Sequence, residues 1–248
     1  CVCVCVCVCG CRAQSLPWMT IVGNHEIELD INLKTFEAYN ARFPMPAVYY
    51  GTPKQASQLY YGIRIGAVHY IMLSSYTDFS STSDQYAWLV TELASIDRNL
   101  TPWVVATLHA PWYNSNQAHQ GEGEAMREAM EQLLFNAGVD VVFSGHVHAY
   151  ERNSRVFNNA LNPAGPYYIN IGDGGNREGL ASNWLCTCST KPALGAPCLR
   201  MLSCLRVDGC VCVTFSHLRY AQRAILQLPN PLGPRSAKPR TVTVSWRC

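Results

Sequence analysis

Three short polar clusters, each set directly after an apolar run, constrain this chain more than any other feature. Gly23-Asn24-His25-Glu26 follows residues 18–22 (WMTIV), His109 opens a segment reaching His119 after residues 103–108 (WVVATL), and Gly145-His146-Val147-His148 follows residues 139–143 and Ser144. Short apolar runs that stop at glycine or polar residues read as buried strands. Loops at the carboxyl ends of neighbouring parallel strands converge in space however far apart they lie in sequence. The chain is therefore expected to lay these runs side by side, with helices on the connections.

The stretches between the clusters fit that plan. Residues 58–73 (QLYYGIRIGAVHYIML) are rich in Tyr, Ile and Val and read as a strand pair. Residues 82–98 read as a helix: Thr82 and Gln85 form a capping box, and Tyr86, Leu89, Val90, Leu93 and Ile96 trace one apolar stripe. A second helix covers 123–136, with Met126, Met130, Leu133 and Leu134 inward and Gly138 as its stop. Residues 167–171 form a further strand, ending at Gly172-Asp173-Gly174-Gly175. Strand–helix–strand units of this length predict a layered α/β fold with right-handed crossovers.

The two ends differ from this body. Residues 1–9 are a strict Cys-Val repeat, and all thirteen cysteines lie within 1–11 or 186–248. A middle without cysteine does not rest on disulfides. As a strand the repeat would place its cysteines on one face, where they suit soft metals; an alternating thymine–guanine repeat also translates into Cys-Val. Residues 184–248 carry nine Lys/Arg against one acidic residue, a net +8, whereas residues 1–183 sum to −6. Such a tail reads either as a nucleic-acid or membrane-binding arm or as a segment foreign to the body, and the latter is preferred. The expected division is 1–14 as a low-complexity segment outside the fold, 15–183 as the domain, and 184–248 as a basic tail without an assigned fold. No signal peptide is recognisable, and no run approaches the roughly 20 apolar residues of a membrane span. Asn99-Leu100-Thr101 is a glycosylation sequon followed by Pro102.

The convergent clusters carry the chemistry of metal-assisted hydrolysis. His109, His146 and His148 each offer a neutral imidazole, and Asn24 offers a carbonyl oxygen. A His-x-His pair on a turn can serve two ions about 3.5–4 Å apart, the spacing of two-metal phosphatases. His69 and His217 read as core imidazoles with partners, Trp112, Tyr113 and the Met126/Met130 stripe as packing, and Asp173 as support for its glycine-rich turn.

Gly-Asn-His-Glu, a lone strand-end His, and Gly-His-x-His, in that order, resemble the later motifs of the metallophosphoesterases. Four further segments narrow the resemblance to plant-type purple acid phosphatases over about residues 15–183. They are His109-Ala110-Pro111-Trp112-Tyr113-Asn114-Ser115, Gly121-Glu122-Gly123-Glu124-Ala125-Met126-Arg127, Gly145-His146-Val147-His148-Ala149-Tyr150-Glu151-Arg152, and Ile171-Gly172-Asp173-Gly174-Gly175-Asn176. The resemblance implies a metallophosphoesterase α/β sandwich and a dinuclear centre of Fe with Zn or Mn. It implies Asn24, His109 and His146 on the divalent ion and His148 on the ferric ion. His25 and His119 would face the substrate phosphate, with His119 protonating the leaving oxygen. Phosphate monoesters are the implied substrates, and a secreted or vacuolar location is implied with them; neither a nucleic acid nor a membrane partner is expected.

The resemblance also calls for two aspartate motifs, Gly-Asp-x-Gly and Gly-Asp-x-x-Tyr, ahead of Gly23, and residues 1–22 contain neither. The domain is accordingly expected to be incomplete, without its N-terminal and final strands, and to retain metal weakly, since Asn24, His109 and His146 are all neutral donors. Two other functions compete with a monoesterase: a non-catalytic fragment that binds metal or phosphate weakly, and a phosphodiesterase or nuclease on the same scaffold.

Overall fold

The computed structural model describes residues 18–185 apart from Asp30, Asn32, 47–55 and Asn176. The Cys-Val segment, the tail beyond Leu185, and His217 lie outside the described residues. A single 3₁₀ turn, Asn24–Glu26, precedes the short helix α1 (Glu37–Arg42). Then come strands β1 (Tyr61–Ile65) and β2 (Val68–Met72), helix α2 (Asp84–Ser95), β3 (Trp103–Thr107), helix α3 (Glu124–Asn136) and β4 (Val141–Ser144). Strands β5 (Tyr150–Phe157), β6 (Ala160–Leu161) and β7 (Tyr167–Ile171) complete the series.

The strands form one seven-stranded mixed sheet in the order β1-β2-β3-β4-β7-β5-β6. Its centre, β2-β3-β4-β7, is parallel, and both margins are antiparallel. The β2-α2-β3 and β3-α3-β4 connections are the crossovers that parallel neighbours require. Side chains alternate across the sheet as the pleat dictates. Ile71, Val104, Ala106, Val142 and Tyr168 pack with Trp88 and Leu89 of α2 and with Met126, Met130 and Leu134 of α3. Tyr70, Met72, Val105, Val141, Phe143 and Ile169 fill the opposite face together with Met45, Met19 and Ile21. Both faces of the central strands are buried, which explains their unbroken apolar runs.

Several expectations need correction. Residues 18–22 are extended and Val22 is fully buried, yet they form no strand. Side chains stand in for a strand ladder: the Tyr39 and Tyr61 hydroxyls both donate to the Thr20 carbonyl, and the Thr20 amide donates to Met45 Sδ. Helix α2 is capped one residue later than expected, by Ser83, whose hydroxyl accepts from the Tyr86 amide. Gln85 instead turns inward and bonds both backbone groups of Ser74. The buried face of α2 is Gln85, Trp88, Leu89 and Glu92, and Val90 is exposed. Glu92 is admitted because it pairs with His69 of β2 at 2.8 Å, the partner that a core histidine requires. A Cβ on Gly62 of β1 would meet Glu92 Oε1 at 1.8 Å, so that pair exists only beside a glycine.

Strand β5 had no sequence signal because two of its three buried residues, Glu151 and Asn153, are polar. Glu151 accepts from the Ser115 amide and hydroxyl, and Asn153 donates to the Tyr113 carbonyl. The described body also runs two residues past Asn183: Trp184 bridges Asn116, and the Leu185 amide donates to the Ser115 carbonyl.

Candidate metal and phosphate site

Parallel strands β3 and β4 deliver two loops to one crest of the sheet, and the 3₁₀ turn after the extended residues 18–22 supplies a third. The ladder between β3 and β4 continues beyond both strands, through Leu108 N to Phe143 O at 2.9 Å and Gly145 N to His109 O at 3.0 Å. His109 and His146 are thereby seated side by side, with ring centroids 5.0 Å apart. The 3₁₀ turn brings Asn24 to them: His109 Nε2 donates to Asn24 Oδ1 at 3.1 Å. Tyr76 closes the far side of His109, its ring centroid 5.7 Å away.

The loop of His146, Val147 and His148 is held from β7. Asn170 donates through Nδ2 to the carbonyls of Val147 and Ala149. Gly172 lies so close that a Cβ there would meet the Val147 carbonyl oxygen at 2.0 Å. His146 itself takes a left-handed backbone, φ 64°, a conformation that non-glycine residues hold only where surrounding contacts enforce it.

The loop of His119 is fastened separately. Asn116, fully buried, accepts from the Ala118 amide and donates to the Ala181 carbonyl. Glu151 holds Ser115 from the side. His119, at φ 56°, then lies against His146 with ring centroids 3.8 Å apart. Glu122 spans the two: its Oε1 accepts from His119 Nδ1 at 2.8 Å and its Oε2 from His146 Nε2 at 2.6 Å.

The electrostatics favour neutral His109 and His146 and a charged Glu122. Burial, reinforced by the neighbouring His146, pushes His109 down to about 3. Burial also lowers His146, against the opposing pull of Glu122. Partial burial raises the Glu122 carboxyl, but the hydrogen bonds from His119 and His146 outweigh it and hold the group below its ordinary value.

Of the residues named from sequence, the structure brings Asn24, His109, His146 and His119 together. His25 is exposed on the 3₁₀ turn beside them. His148 points elsewhere, its Nδ1 3.6 Å from Glu178 Oε2. Glu122 joins the site although its motif assigns it no role; its sequence signal is the spacing of three from His119 on a loop leading into a helix. Asn24, His109 and His146 offer uncharged oxygen and nitrogen donors, a set that fits one divalent ion. The described residues assemble no comparable group around His148.

Imidazole and amide donors at the crest of the parallel centre of a mixed sheet, with helices on the β2-to-β3 and β3-to-β4 connections, suit a phosphoesterase fold. The calcineurin-like phosphoesterase family matches residues 8–150, and the chain belongs to it, in its plant purple acid phosphatase branch. Purple acid phosphatase 22 of Arabidopsis thaliana is 61% identical over 171 residues, covering 68% of this chain and 39% of that protein. Phosphoenolpyruvate phosphatase of Allium cepa is 44% identical over 182 residues, covering 68% of this chain and 37% of that protein. The solved structure of purple acid phosphatase PPD1 from yellow lupin (Lupinus luteus) seeds superposes with a TM-score of 0.57 at 24% identity, over 70% of this chain and 34% of that one. It shows the shared fold. The chain thus spans well under half the length of these relatives.

Proposed function

We propose that the site hydrolyses phosphate monoesters. The observation that carries this reading is the convergence of Asn24, His109, His146 and His119, from three separate loops, on one crest. A phosphatase of an enol phosphate, itself a monoester, is among the relatives. Asn24, His109 and His146 would hold the divalent ion, Zn or Mn; His148, turned to Glu178, gathers no set of donors for a ferric partner among the described residues. When bound, such ions neutralise the charge on the phosphoryl oxygens and lower the barrier to in-line attack.

The chain's own groups do the rest. His119, half exposed at the mouth, has Nδ1 tied to Glu122, which leaves Nε2 to deliver a proton to the ester oxygen as the P–O bond breaks. His25, exposed on the 3₁₀ turn, would join His119 over the substrate phosphate. Gly172 and Asn170 keep His146 in place throughout. We assign a secreted or vacuolar location from the plant relatives, and Asn99, exposed on the loop after α2, as a glycan acceptor. Among the described residues no helix is long and apolar enough to cross a membrane.

A second reading, binding of metal or phosphate without turnover, is favoured by one observation: Glu122 already occupies the gap between His119 and His146. The full chain, supplied with Fe³⁺ and Zn²⁺, is to be assayed at acid pH on p-nitrophenyl phosphate and on its bis-ester. Faster hydrolysis of the monoester is expected, near-abolished by His146→Ala and lowered by roughly 10²–10⁴-fold by His119→Ala. Bound phosphate with no hydrolysis of either ester supports the second reading. Preference for the bis-ester makes the chain a phosphodiesterase.

A further inference from the structure

We infer that His119, Glu122 and His146 form a mononuclear cation site of their own, distinct from the set of Asn24, His109 and His146. The ligand atoms of these three residues all lie within 4.8 Å of one another. Two imidazoles and one carboxylate are a recurrent donor set for zinc, with the fourth position left open.

The contacts already present are close to those of a filled site. His119 Nδ1 and His146 Nε2 each meet a different oxygen of the same carboxylate, at 2.8 and 2.6 Å. Donors around a tetrahedral zinc ion sit about 3.3–3.4 Å apart, so the two contacts open by about 0.5 and about 0.8 Å. The ion takes the place of the two protons that now join the carboxylate to the rings. Both His119 and His146 have left-handed backbones, at φ 56° and 64°; their rings, now 3.8 Å apart, separate by about 1 Å to share one tetrahedral ion. Two such conformations facing one carboxylate mark a place where the fold spends conformational freedom on side-chain position.

The charges favour this set over its neighbour. Asn24, His109 and His146 bring no anion to a doubly charged ion, whereas Glu122 does. His146 belongs to both sets, so the two compete. The site stands on geometry alone; its effect on turnover rests on the phosphomonoesterase reading. An ion on His119 Nδ1 prevents the ring from becoming the doubly protonated imidazolium that a leaving oxygen needs, so excess zinc inhibits.

The test uses the full chain after carboxamidomethylation of its cysteines, all of which lie within 1–11 and 186–248. That treatment removes thiolate zinc binding without altering any residue of the described fold. Zn²⁺ binding is measured by calorimetry, and Co²⁺ binding by its visible absorption. One ion per chain is expected. Glu122→Gln and His119→Ala should each weaken it at least tenfold, the lower bound for loss of even an outer partner. Asn24→Ala and His109→Ala should leave it unchanged. Glu122 is exposed, so its replacement does not threaten folding. Binding that depends on Asn24 or His109, or that survives Glu122→Gln, overturns the site, as does the absence of binding. Monoester hydrolysis in that last case leaves the phosphatase reading standing.

Discussion

His109 sits between Asn24, Tyr76 and His146, and that enclosure sets its protonation. Its value in the fold, about 3, lies below the roughly 6.5 of an unfolded chain. The unfolded state therefore binds more protons between those limits, and stability rises with pH across them. The contribution of neutral His109 is fully present above about pH 6.5 and is lost as pH falls from there toward about 3. For one proton the slope approaches about 1.4 kcal/mol per pH unit. Urea unfolding of His109→Gln should show a flatter dependence between pH 6.5 and 4 than the parent; equal slopes would refute the assignment. Tyr76 makes a contrasting case. Its buried hydroxyl has no hydrogen-bond partner, and burial, with Glu122 and Glu26 nearby, pushes its pKa above the ordinary range. It is thus a phenol rather than a tyrosinate. Tyr76→Phe removes only an unsatisfied group and should leave the melting temperature level or slightly raised.

Helix α2 shows how far periodicity carries and where it stops. The stripe from Tyr86 to Ile96 located the helix, but polar Gln85 and Glu92 took inward positions while Val90 stayed out. Partners decided this: Ser74 for Gln85 and His69 for Glu92. Neither partner is within one helical turn in sequence. Strand β5 escaped notice for the same reason, since Glu151 and Asn153 face inward only because the loop of Tyr113 and Ser115 receives them. The parallel strands, in contrast, were legible because both their faces are apolar. At the site, the loop motifs located Asn24, His109, His119 and His146, but the aim of each side chain is set by tertiary contacts. Hence His148 turns to Glu178 and Glu122 turns in. Gly62→Ala tests the α2 contact: a methyl group 1.8 Å from Glu92 Oε1 must displace the buried pair, costing about 1–3 kcal/mol by the usual scale of overpacking. An unchanged denaturation midpoint would mean that Glu92 has another place to go.

Across the whole molecule, the helix layer, the site loop and the antiparallel margin are tied through one buried carboxylate. Glu131 of α3 accepts from Tyr113 of the His109 loop, Tyr168 of β7 and the Asn158 amide beyond β5, and pairs with Arg127 at 2.7 Å. Glu131→Ala strands a buried guanidinium and two tyrosine hydroxyls, although Glu124 still holds Arg127. A loss of about 3–5 kcal/mol is expected from a broken buried pair, measurable by chemical denaturation. The same integration bears on the spacing of His109 and His146. They follow adjacent strands whose backbone bonding continues to His109 and Gly145, and their 5.0 Å ring separation is close to the 4.7–4.9 Å between neighbouring strands. The sheet acts as a ruler graduated in peptide hydrogen bonds. Its divisions cannot be stretched by changing a side chain, and a slip of one residue would turn the imidazoles to the opposite face. Variation in this site is thereby channelled into which donors the loops present, while the interval between them stays fixed.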